Sequence, residues 1–203
     1  MDIRVEHVSR SYGDQEVLSD VSFTASGGEI IGIVGRNGCG KSTLLSILAG
    51  IERADRGNVV FSEPGGREKS GYLPQTNPLL EEASVYENIR LWAPDKEQAE
   101  KLLAQYRFLD VRRKKVRKLS GGMKRRLAIA CALAHDPKLL IMDEPAAALD
   151  IVYKKMIHDM MEHFTKSGGT IILVTHEQEE IRMCHRCYLL QDGKLTDYNG
   201  NIE

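Results

Sequence analysis

No run of about 18 or more apolar residues occurs anywhere in the 203-residue chain, so no segment is expected to cross a bilayer as a helix. An excess charge of either sign is also missing. The 28 Lys and Arg nearly balance the 29 Asp and Glu, for a formal net charge of -1. Bulk electrostatics therefore favours neither nucleic acid nor an anionic membrane surface, and no nucleic-acid partner is expected. The opening Met1-Asp2-Ile3-Arg4-Val5-Glu6 alternates polar and apolar residues like a strand and lacks the apolar stretch of a secretory signal. A cytoplasmic location is expected, with any membrane contact passing through another protein. Cysteine is sparse, at four residues, and in such a compartment these should be reduced thiols. Cys184-His185-Arg186-Cys187 is a single C-x-x-C with no second pair; even with His176 and His185 nearby, it reads as two buried thiols in preference to a zinc site. Internal repeats and low-complexity linkers are absent from the sequence, and no regulatory domain is expected after Tyr198.

What is present fits one α/β domain spanning 1–203, with 42% hydrophobic and 28% charged residues. Ile3 to Val8 and Val21 to Ala25 alternate with near period two, around a turn at Tyr12-Gly13-Asp14. Glu29 to Val34, Leu139 to Met142 and Thr170 to Thr175 are almost continuous apolar runs, the pattern of strands buried on both faces. Val59 to Phe61 and Gly71 to Leu73 are short strand candidates, and Arg186 to Gln191 and Lys194 to Tyr198 flank a turn at Asp192-Gly193. Helical periodicity appears over about 41–49, 84–92, 96–108, 120–134 and 152–164, which places a helical insert at roughly residues 75–118 within an α/β core. Arg112 to Lys118 carries six cations in seven residues, and without interleaved aromatics it reads as a solvated face.

Three segments carry chemistry. Gly35-Arg36-Asn37-Gly38-Cys39-Gly40-Lys41-Ser42 follows a strand and opens a helix, as a phosphate-binding loop must. Its glycines let the backbone curl so that N–H groups of Asn37, Gly38, Cys39, Gly40 and, at the helix start, Thr43 face a phosphate. Lys41 supplies a cation for the outer phosphates, and Ser42 a hydroxyl ligand for Mg²⁺. Leu139 to Glu144 is an apolar strand ending in two carboxylates. Asp143 suits the metal, and Glu144 an attacking water. Ser120-Gly121-Gly122 opens a helix with free N–H groups and a hydroxyl, either a second anion site or an ordinary cap. Cys39, beside Lys41 and a helix N-terminus, is a candidate reactive thiol. Equally, it is a small spacer facing the core.

In this order the segments resemble the ABC ATPase family, and the resemblance covers nearly the whole chain. It implies a P-loop NTPase, RecA-like core with N-terminal antiparallel strands and a short helical subdomain. It also implies ATP and Mg²⁺ as cofactors, and ATP hydrolysis coupled to transport. By the same resemblance Tyr72-Leu73-Pro74-Gln75 is the Q-loop, Leu119 to Met123 the signature, Leu139 to Glu144 the Walker B strand, Ala148-Leu149-Asp150 the D-loop, and His176 the switch histidine. Tyr12 takes the place of the aromatic that stacks on adenine, and Gln75 senses the metal and the insert. Catalytic roles fall to Glu144, His176, Gln75 and Lys41. The partners implied are a second ATP-binding subunit, identical or homologous, and a membrane-spanning transporter subunit at the inner face of the cell membrane. Met123 departs from the family's usual glutamine, and Ala146-Ala147-Ala148 from its usual Thr, Ser or Gly. Ser-Gly-Gly-Met-Lys-Arg-Arg-Leu is similar to signatures of the ABC-2-type exporter branch. A soluble, non-transport ATPase of the same family is the alternative function, and a small-molecule P-loop kinase a more distant one.

Overall fold

The computed structural model describes residues 1–147, 149–198 and 200. Strands β1 (Ile3–Tyr12), β2 (Gln15–Ala25) and β4 (Arg56–Phe61) form an antiparallel sheet in the order β2-β1-β4. The second sheet runs β5-β6-β7-β3-β8-β9, from β3 (Ile30–Val34), β5 (Ser70–Leu73), β6 (Leu139–Asp143), β7 (Thr170–Val174), β8 (Arg186–Gln191) and β9 (Lys194–Asp197). All its pairings are parallel except β8 with β9.

Every residue of β3, β6 and β7 is buried, which is why their sequences are continuous apolar runs. The pleat then sends alternate side chains to two different cores. Leu139, Ile141, Ile172 and Val174 pack with Ile31, Ile33 and the antiparallel sheet, around Leu44, Leu45 and Leu48 of α1 (Lys41–Leu48). Leu140, Met142, Ile171 and Leu173 face the other way, onto α4 (Gly121–Ala132) and α5 (Ile151–Lys166).

Between β5 and α4 lie α2 (Val85–Trp92) and α3 (Lys96–Gln105). Ser84 and Glu87 make a reciprocal capping box at the start of α2, satisfying two orphan N–H groups. Helical periodicity extends to residue 108, but α3 stops at Gln105. Arg107 adopts a left-handed φ of 56°, and the reversal lets Phe108 drop fully into the core. The hairpin is longer than its alternation shows, because β2 begins at Gln15 straight after the turn. Helix α6 (Gln178–Met183) was not legible as a helix. In the basic run, Arg112 hydrogen-bonds Glu100 at 2.9 Å, and Lys115 and Arg117 pair with Glu82 at 3.0 and 3.5 Å. These are surface pairs around short 3₁₀ turns, in keeping with a solvated face.

Candidate nucleotide site

The loop between β3 and α1 sits at the carboxyl end of the parallel sheet, where ligands bind in open α/β folds. Gly40 caps α1 with φ 107°, and a Cβ there would meet Val17 at 2.8 Å, so neither side chain nor ordinary backbone is tolerated. A Cβ on Gly35 would collide with the Leu190 carbonyl oxygen, so β3 and β8 hold the start of the loop down. The result is an open cleft of about 570 Å³. Asn37, Gly38, Gly40, Lys41, Ser42 and Thr43 line it from the loop and α1. Tyr12, Gln75, Asp143 and Glu144 line the facing sides.

Within the cleft the polar groups pair up. Lys41, 7% exposed, donates from Nζ to the carbonyl oxygens of Gly35 and Arg36 at 2.7 and 2.8 Å. Ser42 donates its hydroxyl to Asp143 Oδ2 at 2.7 Å. Burial pushes the Asp143 carboxyl above the usual carboxylate range, against the Ser42 hydrogen bond that lowers it. Glu144 stands just past β6 with a left-handed φ of 47°, a strained conformation for a side chain of its size, and its N–H donates to Val174 O at 2.9 Å. That turn aims its carboxylate at two neighbours. Gln75 Nε2 donates to Glu144 Oε2 at 3.2 Å, and His176 Nε2 lies 3.5 Å from Oε1. Tyr12, 45% exposed, donates its hydroxyl to the Glu52 carboxylate, and Arg10 lies 4.8 Å over its ring.

Other residues singled out in the sequence lie elsewhere. Cys39 takes the second of its two readings: its sulfur packs inward with the core, 2.8 Å from where a Gly35 Cβ would stand, and does not line the cleft. Its backbone N–H is turned back onto Arg36 O at 3.3 Å. Ser120, Gly121 and Gly122 are not among the residues lining the cleft, and the Ser120 hydroxyl caps α4 by accepting from Met123 N at 3.3 Å. A Cβ on Gly121 would meet nothing, so that turn is open to solvent. Asp150 likewise caps α5, accepting from Val152 and Tyr153 N–H. Ala148 lies outside the described residues.

Arg125 went unremarked in the sequence, yet its guanidinium ties the site together. Nη1 donates to Pro74 O at 2.6 Å, Gln75 O at 3.3 Å and Asn77 Oδ1 at 3.3 Å. Nη2 donates to Asp143 O at 2.7 Å and Glu144 O at 3.0 Å, and Nε to Pro145 O at 3.1 Å. One side chain on α4 thus fixes the backbones that carry Gln75 and both acids. Its signal was position: Arg125 shares the buried stripe of Ala128, Ile129 and Ala132, where an unpaired cation is costly.

Fold and site together define a phosphate-loop nucleotide-binding protein. The profile of the ABC transporter family matches residues 18–147, and the chain belongs to that family. An ABC transporter ATP-binding protein of Methanocaldococcus jannaschii is 35% identical over 99% of this chain and 78% of its own length. The Nod factor export ATP-binding protein I of a Rhizobium species is 38% identical over 92% of this chain and 67% of its own. A solved ATP-binding subunit of an ABC transporter superposes with a TM-score of 0.88 at 29% identity, covering 96% of this chain and 88% of that one. The chain is accordingly an ATP-binding and ATP-hydrolysing transporter subunit, and the fold is that of the ABC ATPases.

Proposed function

We propose that the cassette works as a pair, with ATP held between the phosphate loop of one copy and the Ser120-Gly121-Gly122 turn of the other. The observation that carries this is a division of labour on the surface. Lys41, Ser42, Gln75, Asp143, Glu144 and His176 gather around one open cleft, while the exposed turn at Ser120 to Gly122 and Asp150 stand outside it. A site complete in one copy would have both. The second surface also carries Ile151 and Val152, 83% and 71% exposed, and Gly122 lies against Tyr153 and Leu149 beside them. Exposed apolar residues next to an anion-binding turn suit a face that a second cassette covers.

In this reading Lys41 exchanges its two loop carbonyls for phosphate oxygens, and the N–H groups of Asn37, Gly38, Gly40 and Thr43 cradle them, joined by the Cys39 N–H once it leaves Arg36 O. Tyr12, with Gln15 and Val17 beside it, offers a flat platform to the base. The donors at Ser42 and Asp143 fit a hard divalent cation: two oxygens 2.7 Å apart, one on a buried carboxylate. Ser42, Asp143 and the Gln75 amide oxygen would hold Mg²⁺, which would neutralise phosphate charge. Glu144 orients the attacking water and takes its proton, held in place by Gln75 and His176. The helical segment of about 75–118 moves with Gln75 and passes the change on. An apolar cleft of about 300 Å³, with Ile51, Tyr72, Pro74 and Trp92 in its walls, opens beside that loop and is the seat for a membrane-spanning subunit at the inner face of the membrane.

Ser120→Arg tests the arrangement. ATP affinity of the dilute variant should match the parent by equilibrium binding, while Mg-ATP hydrolysis disappears. Loss of binding in the separated copies would place Ser120 at its own subunit's nucleotide and sink the shared site.

A further inference from the structure

Cys184 and Cys187 of the C-x-x-C are free thiols, half-buried where the sequence suggested full burial. Cys184 is the cap residue just after α6, and Cys187 is the second residue of β8. The turn between them is pinned to β3 from both sides, because His185 N–H donates to Ile30 O at 2.9 Å and Ile30 N–H donates to His185 Nδ1 at 3.0 Å. Both cysteines are half-buried, and both sulfurs converge on one spot over Gly32. A Cβ built on Gly32 would meet Cys184 Sγ at 2.7 Å and Cys187 Sγ at 2.8 Å. Only glycine leaves room for the pair. The Cys184 S–H donates to Glu180 O at 3.2 Å. The closeness of the two thiols, helped by the backbone at Tyr188, draws the Cys187 thiol down, while the same closeness and burial drive Cys184 up. Two sulfurs that converge on one spot can act in turn, one attacking an oxidant and its neighbour resolving.

We propose that Cys184 and Cys187 form a reversible dithiol–disulfide site, oxidised by hydroperoxides, that slows ATP turnover when closed. In the first step Cys187 sulfur attacks a peroxide oxygen. The O–O bond breaks, an alcohol or water leaves, and Cys187 becomes a sulfenic acid. Cys184 sulfur then displaces the hydroxyl oxygen as water, and the S–S bond forms. Two electrons pass from the sulfurs to the peroxide, and the two thiol protons leave on the oxygen products. A dithiol reductant reverses the change by exchange. The closed bond ties the end of α6 to β8. Helix α6 begins two residues after His176 and is bound to the strand before it by the hydrogen bond from Thr175 to Glu180. Restraint of α6 therefore reaches the histidine beside Glu144. The effect on turnover rests on the role proposed for His176; formation of the bond does not.

The 203-residue chain is treated with hydrogen peroxide, its free thiols are alkylated, and peptides are mapped by mass. The expected product joins Cys184 to Cys187 with the loss of two hydrogens, returns to thiols with a dithiol reductant, and is absent from Cys184→Ala and Cys187→Ala. Thiols that stay free, or that go to sulfinic acid without pairing, overturn the site. In parallel, ATPase activity should fall severalfold on oxidation and recover on reduction, and Cys184→Ala/Cys187→Ala should resist peroxide. If the double variant is still inhibited, the inhibition arises elsewhere. If the bond forms and turnover is unchanged, the link to His176 is wrong and the claim of control falls.

Discussion

At the scale of single residues, Arg125 makes the sharpest demand. Its three nitrogens serve five backbone carbonyls and Asn77 on two loops. A lysine carries its donors on one atom and cannot bridge them. Arg125→Lys should therefore cost about 2–4 kcal/mol by chemical denaturation and lower Mg-ATP turnover, with the substrate's KM changing less than kcat. Parental stability and turnover in that variant would mean the fork is incidental. The residues whose placement depends on backbone geometry were the legible ones. Lys41, Ser42, Asp143 and Glu144 follow from a strand, a glycine loop and a helix in a fixed order. Arg125 was hidden because its partners are carbonyl oxygens of remote segments, which no side-chain pattern records. The inward turn of Cys39 was undecidable for a similar reason, since the contact that sets it is Gly35 packed under β8.

At the scale of elements, the strands β3, β6 and β7 were readable because burial on both faces confines polar residues to the strand ends, Asp143 and Thr170. Helix α6 was not. It has six residues, three of them Gln178, Glu179 and Glu180, and no side-chain cap. What fixes it is tertiary: Glu180 is fully buried, accepts from Thr175, and lies 3.9 Å from His158 Nε2, with Glu177, Lys154, Arg125 and the Cys184 thiol also facing it. Burial pushes the Glu180 carboxyl up to about 7 from 4.5. The folded chain thus holds a proton that the unfolded chain has already lost. The stabilisation is fully present below about 4.5 and disappears as pH rises through about 7, on the order of 3 kcal/mol over that window. Glu180→Gln, neutral throughout, should gain in thermal midpoint relative to the parent between pH 5 and pH 8. A difference between the two proteins that does not change with pH would show that Glu180 is already charged in the fold.

At the scale of the whole molecule, the sequence order of motifs made the family legible, while the spatial relation between them was implied only by that resemblance. In three dimensions the phosphate loop and Glu144 share one cleft, and the open turn at Ser120 lies outside it. The central claim is that two copies close over ATP and that Glu144 then drives hydrolysis. The most direct test is Glu144→Gln with Mg-ATP, followed by nucleotide binding, phosphate release and molar mass on size exclusion. The account expects parental ATP affinity, turnover reduced by roughly 10²-fold or more, and a species of twice the 22.7 kDa chain mass that holds ATP. A variant that remains at the single-chain mass and releases phosphate at the parental rate would contradict it.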